Sequence, residues 1–440
     1  MSPIIVGLIG IIVFLIIMAL GVPICFSMLF VGVIGFAFMR TPASAAQMLV
    51  SDLLTNFSSY TLTVGPMFGL MGFLASYTDV GRSLIKAVDS YIGHHRGGLA
   101  MGVQVASALF GAICGSTPAT IGTMSALAYS EMRNRNYAPE LAGPAIASGA
   151  NLAVLIPPSL QFIMYGLATE TSIGGLFLSG IFPGILLCAL NAAAVIIILK
   201  VNPNLAQPAK KATWRERWNH TKSGGIPIIA VIFIISMGGM FAGFFTSTEA
   251  GAIGAFSMLV VTICTKQLDF KRFIRAMVDT VRLQAMVFML MTCAIVFGRF
   301  LAISTIPTTV GTFVATLGLP RWIVMSAVII CFLIMGCFVD LVAMIVLTMP
   351  VFFPIVVTQL GYDRYWFGTI LLILIAVGSL TPPFGGNIFL LKGCINFDKE
   401  ATLGRLFKGV WPFCIAAVLA VVILMIFPGI ASWLPNLVYG

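Results

Sequence analysis

The sequence predicts an all-α polytopic membrane protein with two inverted repeats, each holding a re-entrant helical hairpin and a broken transmembrane helix. Of 440 residues, 60% are hydrophobic and 9% are charged, whereas soluble domains have roughly 45–50% apolar and about 25% charged residues. Apolar runs near 4–20, 226–240, 285–302 and 415–427 have the length of spanning or nearly spanning helices. Lipid cannot satisfy backbone polar groups, and continuous runs without alternation favour helices over a barrel.

Charge and cysteine content argue against other classes of protein. The net charge of +10 comes from 24 Lys and Arg against 14 Asp and Glu. In a membrane protein such residues hold loops on the cytoplasmic side, so nucleic-acid binding is disfavoured. The nine cysteines form no CxxC pair, and we interpret them as small buried residues rather than metal ligands or disulfides. The first residues lack a basic region and a cleavage site, which predicts a retained first span.

A basic linker divides the chain into two halves. We predict a first repeat over 1–199, a cytoplasmic linker over 200–223 and a second repeat over 224–440. Apolar segments interrupted by Gly and Pro are too short on each side of the break to span alone, which predicts hairpins and broken helices. The predicted hairpins are 97–132 and 322–357, and the predicted broken helices are 139–168 and 366–391.

The second half also contains an amphipathic stretch at 267–282, with apolar residues on one helical face and Lys271, Arg272, Arg275 and Arg282 on the other. This pattern predicts a helix lying on the membrane surface, followed by a separate span near 285–303. Thr246 and Glu249 have the spacing of a capping box at a helix start.

The two halves align without a gap at an offset of 225 residues. Identical residues at this offset include the pairs Gly93/Gly318, Arg96/Arg321, Gly111/Gly336, Thr123/Thr348, Met124/Met349, Tyr137/Tyr362, Pro157/Pro382 and Pro158/Pro383. Matched breaks in matched hydropathy indicate a secondary transporter whose binding site lies between its repeats.

Basic residues predict the orientation of the repeats. Lys86, Arg96, Arg133 and Arg135 flank the first hairpin, whereas Arg321 and Arg364 flank the second. The positive-inside rule then places the first hairpin and the linker at the cytoplasmic face and both termini outside, with Arg40 as an exception.

The four breaks concentrate groups that could bind ions. Unwound backbone frees carbonyl oxygens, and Ser, Thr, Asn and Asp side chains add further oxygen ligands of the kind that Na⁺ prefers. The N-termini of half-helices favour an anionic substrate. Simple helix kinks are the alternative interpretation, but four breaks in a two-fold arrangement favour a binding site.

Two charged residues in the second half have open roles. Asp340 is the only acidic residue between Asp279 and Asp363, and it could cap a hairpin arm or coordinate a cation. Arg299 could snorkel to the interface or bind a substrate carboxylate. His94, His95 and His220 lie in basic loops, and no HExxH, GxSxG or P-loop pattern is present, so an enzyme is not predicted.

Several motifs resemble one family. They are Gly111-Ala-Ile-Cys-Gly-Ser-Thr-Pro-Ala-Thr120, the run Pro144 to Pro158, Gly336-x-x-x-Asp340 and Gly378-x-Leu-Thr-Pro-Pro-x-Gly-x-Asn387. Together they resemble the large membrane subunit of TRAP (tripartite ATP-independent periplasmic) transporters, within the ion transporter superfamily. The resemblance implies a sodium-driven importer of organic acids in the bacterial inner membrane. It also implies two partners, a small four-helix membrane subunit and a periplasmic substrate-binding protein. Thr117 departs from the family, where we expect glycine.

We therefore predict two sodium sites with the organic anion between them. The first comprises Gly115, Ser116, Thr117, Gly149 and Asn151, and the second comprises Gly336, Cys337, Asp340, Gly378 and Thr381. The predicted substrate contacts are Ser116, Pro157, Pro158, Ser379, Pro382, Gly385, Asn387 and Arg299. The resemblance implies a small carboxylate, such as a C4-dicarboxylate or sialic acid, as the substrate. The alternative is a stand-alone sodium–carboxylate symporter or antiporter of the same superfamily. An intramembrane hydrolase is disfavoured because Ser116 has no histidine in any apolar segment.

Overall fold

The structure is a computed structural model that describes residues 2–209, 211–222, 225–316, 318–339, 341–383 and 385–439. Every regular element in these ranges is helical, as the sequence predicts. Five helical segments within them are long and apolar enough to cross a membrane. Large apolar side chains such as Ile12, Phe38 and Ile415 are exposed, as expected for helices that face lipid.

The first half contains eleven helices and the linker one more. They are α1 (Pro3–Ala19), α2 (Ile24–Met39), α3 (Pro42–Phe57), α4 (Val64–Ser76), α5 (Val80–Ile92), α6 (Gly98–Cys114), α7 (Thr117–Met124), α8 (Ser130–Asn134), α9 (Pro139–Ala150), α10 (Leu160–Thr169), α11 (Ile173–Val201) and α12 (Trp214–Lys222). A π-helical turn, Ser125–Tyr129, joins α7 to α8. The helix pairs α6–α7 and α9–α10 are separated where Gly115 and the Pro157-Pro158 doublet interrupt the apolar sequence.

The second half is also helical throughout its described residues. Its helices are α13 (Gly225–Phe233), α14 (Gly239–Phe241), α15 (Ser247–Cys264), α16 (Phe270–Ile303), α17 (Ile306–Thr316), α18 (Arg321–Gly336), α19 (Leu341–Phe353), α20 (Arg364–Gly378), α21 (Gly386–Cys394), α22 (Leu403–Ile426) and α23 (Gly429–Tyr439). A π-helical turn, Pro354–Gln359, follows α19.

Equivalent helices begin at the offset seen in the sequence. Pro139 starts α9 and Arg364 starts α20, so the two helices begin 225 residues apart. Asn151 and Ala376, which are joined by a hydrogen bond, are separated by the same number of residues. One close contact is repeated as well. A Cβ atom on Gly111 would lie 2.8 Å from Ala153 Cα, and a Cβ atom on Gly336 would lie 3.1 Å from Gly378 Cα. The two halves therefore share a local packing as well as a helix order.

The prediction for residues 267–303 is wrong in one respect. The amphipathic stretch and the following span are one continuous helix, α16, of 34 residues. The equivalent helices of the first half, α3 and α4, are separated by Ser58, Ser59 and a short 3₁₀ turn. The corresponding residues of α16, Arg282-Leu-Gln-Ala-Met286, are good helix formers and offer no cap or breaker.

The short helices α5, α12, α17 and α23 were not predicted. They contain 13, 9, 11 and 11 residues, which is too short for the long apolar runs that identify membrane-spanning helices. The predicted capping box at the start of α15 is confirmed: Thr246 Oγ1 accepts the Glu249 backbone N–H, and the Glu249 carboxylate accepts the Thr246 N–H at 2.8 Å.

The centre of the molecule is built from α9 and α20. Residues 141–150 of α9 and 365–378 of α20 are all buried. Elements of the two halves alternate around them, because α10 packs against α19, α7 against α21, and α11 against α22. A second group packs α16 against α2 and α4, and α15 against α4. The breaks of both halves consequently meet in the buried centre.

Ion pairs join the halves at one end of this centre. Arg133, in α8, contacts the Asp398 carboxylate at 2.7 Å and the Glu400 carboxylate at 2.6 Å, and the Tyr129 hydroxyl donates to Asp398 at 2.8 Å. Burial raises the pKa of Asp398, but hydrogen bonds from Tyr129 and the Glu400 N–H and the Arg133 charge outweigh burial and hold that pKa below its usual value. Arg405 contacts Glu140 at 2.9 Å. The contacts of Arg133 and Tyr129 join the π-turn end of the first hairpin to the loop before α22, and the Arg405 contact joins α22 to α9.

Candidate functional site

The first break is an abrupt reversal at Gly115. This glycine ends α6 with a φ of 56°, in the left-handed region, where residues with a side chain are disfavoured. A Cβ atom at this position would also overlap the Pro158 carbonyl oxygen. The Leu160 N–H donates to the Gly115 carbonyl at 3.3 Å, so the hairpin tip is tied to the start of α10. Ser116 then caps α7 by accepting the Ala119 N–H.

Beside this tip lies a buried hydroxyl without a hydrogen bond. Thr117 is fully buried, and its Oγ1 atom has no hydrogen-bond partner among the described residues. The Ser107 hydroxyl is in the same condition, and it lies 3.0 Å from the position that a Cβ atom on Gly149 would take. Because buried polar groups are almost always satisfied, these oxygens are suited to an added cation. The threonine that departs from the family pattern thus contributes one of the available oxygens.

The second break holds two backbones in contact. Gly336, at the end of α18, packs directly on Gly378, at the end of α20. The Cys337 thiol and the Thr381 hydroxyl are 3.0 Å apart, and the thiol also donates to the Leu333 carbonyl. The Thr381 hydroxyl donates to the Gly378 carbonyl at 3.1 Å. Hard cations prefer oxygen to sulfur, so the backbone carbonyl of Cys337 is the better ligand than its engaged thiol. Asp340, predicted for this site, lies outside the described ranges.

A chain of buried hydrogen bonds links the two breaks. The Asn387 side chain donates to Asn151 Oδ1 at 2.7 Å and to Ser379 Oγ at 2.8 Å. Asn151 in turn donates to the carbonyl of Ala376 at 2.8 Å. Asn151, Ser379 and Asn387 are each at most 9% exposed. The structure therefore brings together three of the predicted site residues, one from the first half and two from the second.

Glycine also shapes the start of α21. Gly385 has a φ of 39° and donates its N–H to the Thr381 carbonyl at 3.0 Å. The Asn387 N–H donates to the Ser379 carbonyl at 3.1 Å. The chain thereby folds back on the end of α20 and turns the Asn387 amide toward Asn151.

Two predicted substrate contacts lie in apolar surroundings. Pro157 lines a cavity of about 670 Å³ with Ile156 and Ile185, and Pro382 lines one of about 590 Å³ with Leu333 and Ile415. Neither wall offers charged groups to an anion. Pro158 differs, since its carbonyl faces Gly115. The prolines shape the breaks because each removes a backbone donor and fixes φ.

Arg299 has a partner that the sequence did not predict. Its guanidinium pairs with Asp52 of α3 at 2.7 Å. The Asp52 side chain is 3% exposed, and its second oxygen has no partner among the described residues. The pair joins α16 to α3, which explains how a carboxylate is tolerated in a buried position. Arg299 is thus engaged by a structural carboxylate rather than by any residue of the two breaks.

A family model described as "Tripartite ATP-independent periplasmic transporter, DctM component" matches residues 11–430. The chain belongs to this family. It is therefore a TRAP large permease, the large membrane subunit that the sequence motifs resemble, and a multi-pass membrane protein.

Curated relatives agree over most of this permease. It is 30% identical to the C4-dicarboxylate TRAP transporter large permease of Pseudomonas aeruginosa over 399 residues, which cover 88% of this chain and 89% of the relative. It is 28% identical to the sialic acid TRAP transporter large permease of Vibrio cholerae, with 96% of each chain covered. Both relatives are described as transporter permeases.

A solved structure has the same fold. The crystal structure of the YdaH transporter of Alcanivorax borkumensis matches with a TM-score of 0.65 and covers 89% of this chain and 90% of its own. The sequence identity is 16%, so this similarity establishes the fold of the permease alone.

A further polar cluster of this TRAP permease was not predicted. Gln104 of α6 donates to the Ala145 carbonyl at 2.6 Å and to Ser148 Oγ at 3.2 Å, and Asn191 of α11 donates to Gln104 Oε1 at 3.1 Å. All three side chains are buried. They brace the helix that carries Gly149 and Asn151. An amide within an apolar helix is the signal that would have found them, because such groups are costly in lipid and tend to be functional.

Proposed function

We propose that this TRAP permease imports a small organic acid, driven by sodium, together with a small membrane subunit and a periplasmic substrate-binding protein. The relatives that transport C4-dicarboxylates and sialic acid support an organic acid as substrate. The word tripartite in the family description supports three components. The observation that carries the proposal is the buried hydrogen-bond chain from Asn151 to Asn387, which joins the breaks of the two halves.

Two cation positions follow from the groups around the breaks. Thr117 Oγ1, the Ser116 hydroxyl, the carbonyl oxygens near Gly115 and the Asn151 side chain offer oxygens to one Na⁺. The carbonyls near Gly336 and Gly378 and the Thr381 hydroxyl offer them to a second. Asp340 belongs to the proposed second site by sequence alone. Hard cations take such neutral and carboxylate oxygens.

The organic anion is proposed to bind between the two cations, near Ser116, Ser379, Gly385 and Asn387. Ser116 caps α7 and Gly385 precedes α21, so each is at the positive end of a half-helix. Two cations flanking one carboxylate would offset the cost of taking the anion out of water. They would also make uptake depend on the sodium gradient and, where positive charge is in surplus, on voltage.

Reconstituted uptake tests this function directly. Proteoliposomes holding the permease with both partners should accumulate a C4-dicarboxylate or sialic acid only with an inward sodium gradient. Omission of either partner should abolish uptake. If the chain alone transports at the full rate, it is the stand-alone symporter of the alternative. Uptake that ignores sodium under all conditions contradicts the proposed coupling.

Removal of single hydroxyls should change the sodium requirement. Ser116→Ala and Thr381→Ala are each expected to raise the sodium concentration for half-maximal uptake by about tenfold, the effect of losing roughly 1.4 kcal/mol of binding. Ser432→Ala serves as the control, because its exposed hydroxyl donates only to its own helix, to the Pro428 carbonyl. Unchanged sodium dependence in both site variants, at normal expression, contradicts this placement.

We further propose the bacterial inner membrane as the location, with both termini periplasmic and the linker inside. Cys264 and Cys394, the two exposed cysteines of the chain, then lie at cytoplasmic helix ends. An impermeant maleimide should leave them unlabelled in intact spheroplasts and label them after the membrane is opened. A Cys264→Ser/Cys394→Ser variant controls for other thiols. Labelling of these cysteines in intact spheroplasts would place the two helix ends outside and would contradict the proposed topology.

A further inference from the structure

The helix α12 is held in place although it lies in the linker. Its start is a capping box: the Glu216 carboxylate accepts the Thr213 N–H at 2.7 Å and the Thr213 hydroxyl at 2.9 Å. Glu216 is the only acidic residue of α12. Its carboxylate is occupied by these hydrogen bonds at the N-terminus of the helix. The Tyr91 hydroxyl of α5 lies 3.1 Å from the Thr221 hydroxyl. These contacts fix α12 against the end of α5.

One face of α12 presents two tryptophans. Trp214 and Trp218 stand one helical turn apart, and they are 74% and 62% exposed. Indole rings concentrate where membrane meets water, because their ring is apolar and their N–H is polar. An exposed pair on a helix that is otherwise hydrophilic indicates that this face contacts a membrane surface.

The same helix carries positive charge that the protein does not neutralise. Arg215, Arg217 and Lys222 of α12, and Lys211 three residues before it, form no ion pair within the described part of the chain. The Arg217 guanidinium makes cation–π contacts with Tyr91 and Trp214, at 5.6 and 5.4 Å from the ring centres. Its Nε and Nη2 atoms are covered and have no hydrogen-bond acceptor among the described residues. The positive charges of this face of α12 therefore have no anionic partner among the described residues.

The position of α12 fits a membrane lipid as the source of that anion. The helix ends at Lys222 and the apolar α13 begins at Gly225, the two meeting at 47°. Nine residues of helix span about 13 Å, so Trp214 lies within that distance of Lys222, which is three residues before the start of α13. The apolar cavity of about 670 Å³ begins beside Leu84 and Ile226 and extends to Pro157. It is lined by apolar side chains and can take an acyl chain.

We propose that α12 binds the phosphate headgroup of an anionic phospholipid, in the leaflet on the linker's side of the membrane. Lys211 and Arg217 attract the phosphate, and the two indoles enter the headgroup region. An acyl chain of the same lipid occupies the cavity that reaches Pro157. Each cation near a negatively charged membrane surface contributes appreciably to such binding, and salt weakens that contribution.

Native mass spectrometry of the delipidated full chain tests this site. Phosphatidylglycerol should bind at least about tenfold more tightly than phosphatidylcholine, and salt should reduce that preference. The Lys211→Gln/Arg217→Gln variant should lose the preference. The control Lys399→Gln/Lys408→Gln, which removes the same charge from exposed lysines elsewhere, should keep it.

A second measurement separates lipid binding from misfolding and from free phosphate. Brominated phosphatidylglycerol in nanodiscs should quench tryptophan emission more strongly than brominated phosphatidylcholine, and Trp214→Phe/Trp218→Phe should remove that difference. Equal quenching by both lipids overturns the proposal. Displacement of phosphatidylglycerol by inorganic phosphate at equal concentration overturns it in favour of a free-phosphate site. Loss of the preference in the lysine control as well indicates nonspecific charge attraction and also overturns it.

Discussion

Replacing Gly378 by alanine is expected to lower uptake by at least about tenfold, the factor equivalent to roughly 1.4 kcal/mol, while the protein still inserts. The added Cβ atom would lie 2.5 Å from the Gly336 Cα and carbonyl oxygen atoms. Both are backbone atoms, so no side-chain rotation relieves the overlap and α18 must move away from α20. Overpacking of this kind costs about 1–3 kcal/mol. Initial uptake rates per inserted protein measure the effect.

Two other glycines provide graded controls for this prediction. A Cβ atom on Gly336 would lie 3.1 Å from Gly378 Cα, and one on Gly393 would meet no heavy atom within 4 Å. Gly336→Ala should therefore have an intermediate effect, and Gly393→Ala should transport normally. If Gly378→Ala transports as well as Gly393→Ala, the contact between α18 and α20 is not needed for transport.

The helix breaks could be predicted from the sequence because their causes are local. Gly115 is needed for its left-handed backbone conformation, and the two proline doublets cannot continue a helix. An internal repeat could be predicted for the same reason, because the interruptions by Gly and Pro occur at a fixed offset in the sequence. The breaks between α6 and α7 and between α20 and α21 lie at residues that the sequence singles out without any knowledge of packing.

The helices that were missed depend on context rather than on local chemistry. Helix α5 combines charged Arg82, Lys86 and Asp89 with buried Leu84 and Val88, so no apolar run marks it. Its stability comes from packing against α6 and α12, which a single sequence does not contain. The continuity of α16 was missed because an amphipathic segment followed by an apolar span gives the same sequence pattern with or without a turn between them.

Long-range partners could not be predicted at all. Asn151 and Asn387 are 236 residues apart, and only the docking of the two halves brings their amides together. The same holds for Asp52 and Arg299, which pair across the chain. The sequence left Arg299 two roles, snorkelling to the interface or binding a substrate carboxylate, and it gave no sign of a pair with Asp52.

Replacement of Asn387 by alanine is expected to reduce uptake by about tenfold and to destabilise the protein by about 1–3 kcal/mol, the usual cost of leaving buried polar groups unsatisfied. The variant removes the donor to Asn151 Oδ1 and the closer donor to Ser379 Oγ, which keeps only a 3.5 Å contact from the Asn151 amide. Asn387→Asp should be at least as harmful, because a carboxylate would face the Asn151 oxygen without donating a hydrogen bond. Uptake rates and thermal unfolding of the reconstituted protein measure both effects.

The control for this prediction is a matched deletion elsewhere. Asn56 donates to the Thr292 hydroxyl at 2.7 Å, the same length as the bond from Asn387 to Asn151, but it joins α3 to α16. Asn56→Ala should therefore destabilise the protein without a comparable loss of uptake per folded molecule. Asn151→Ala combined with Asn387→Ala should cost less than the sum of the single changes, because the two side chains share one bond. Additive losses, or equal uptake by the Asn387 and Asn56 variants, would show that the amide chain between the halves does not support transport.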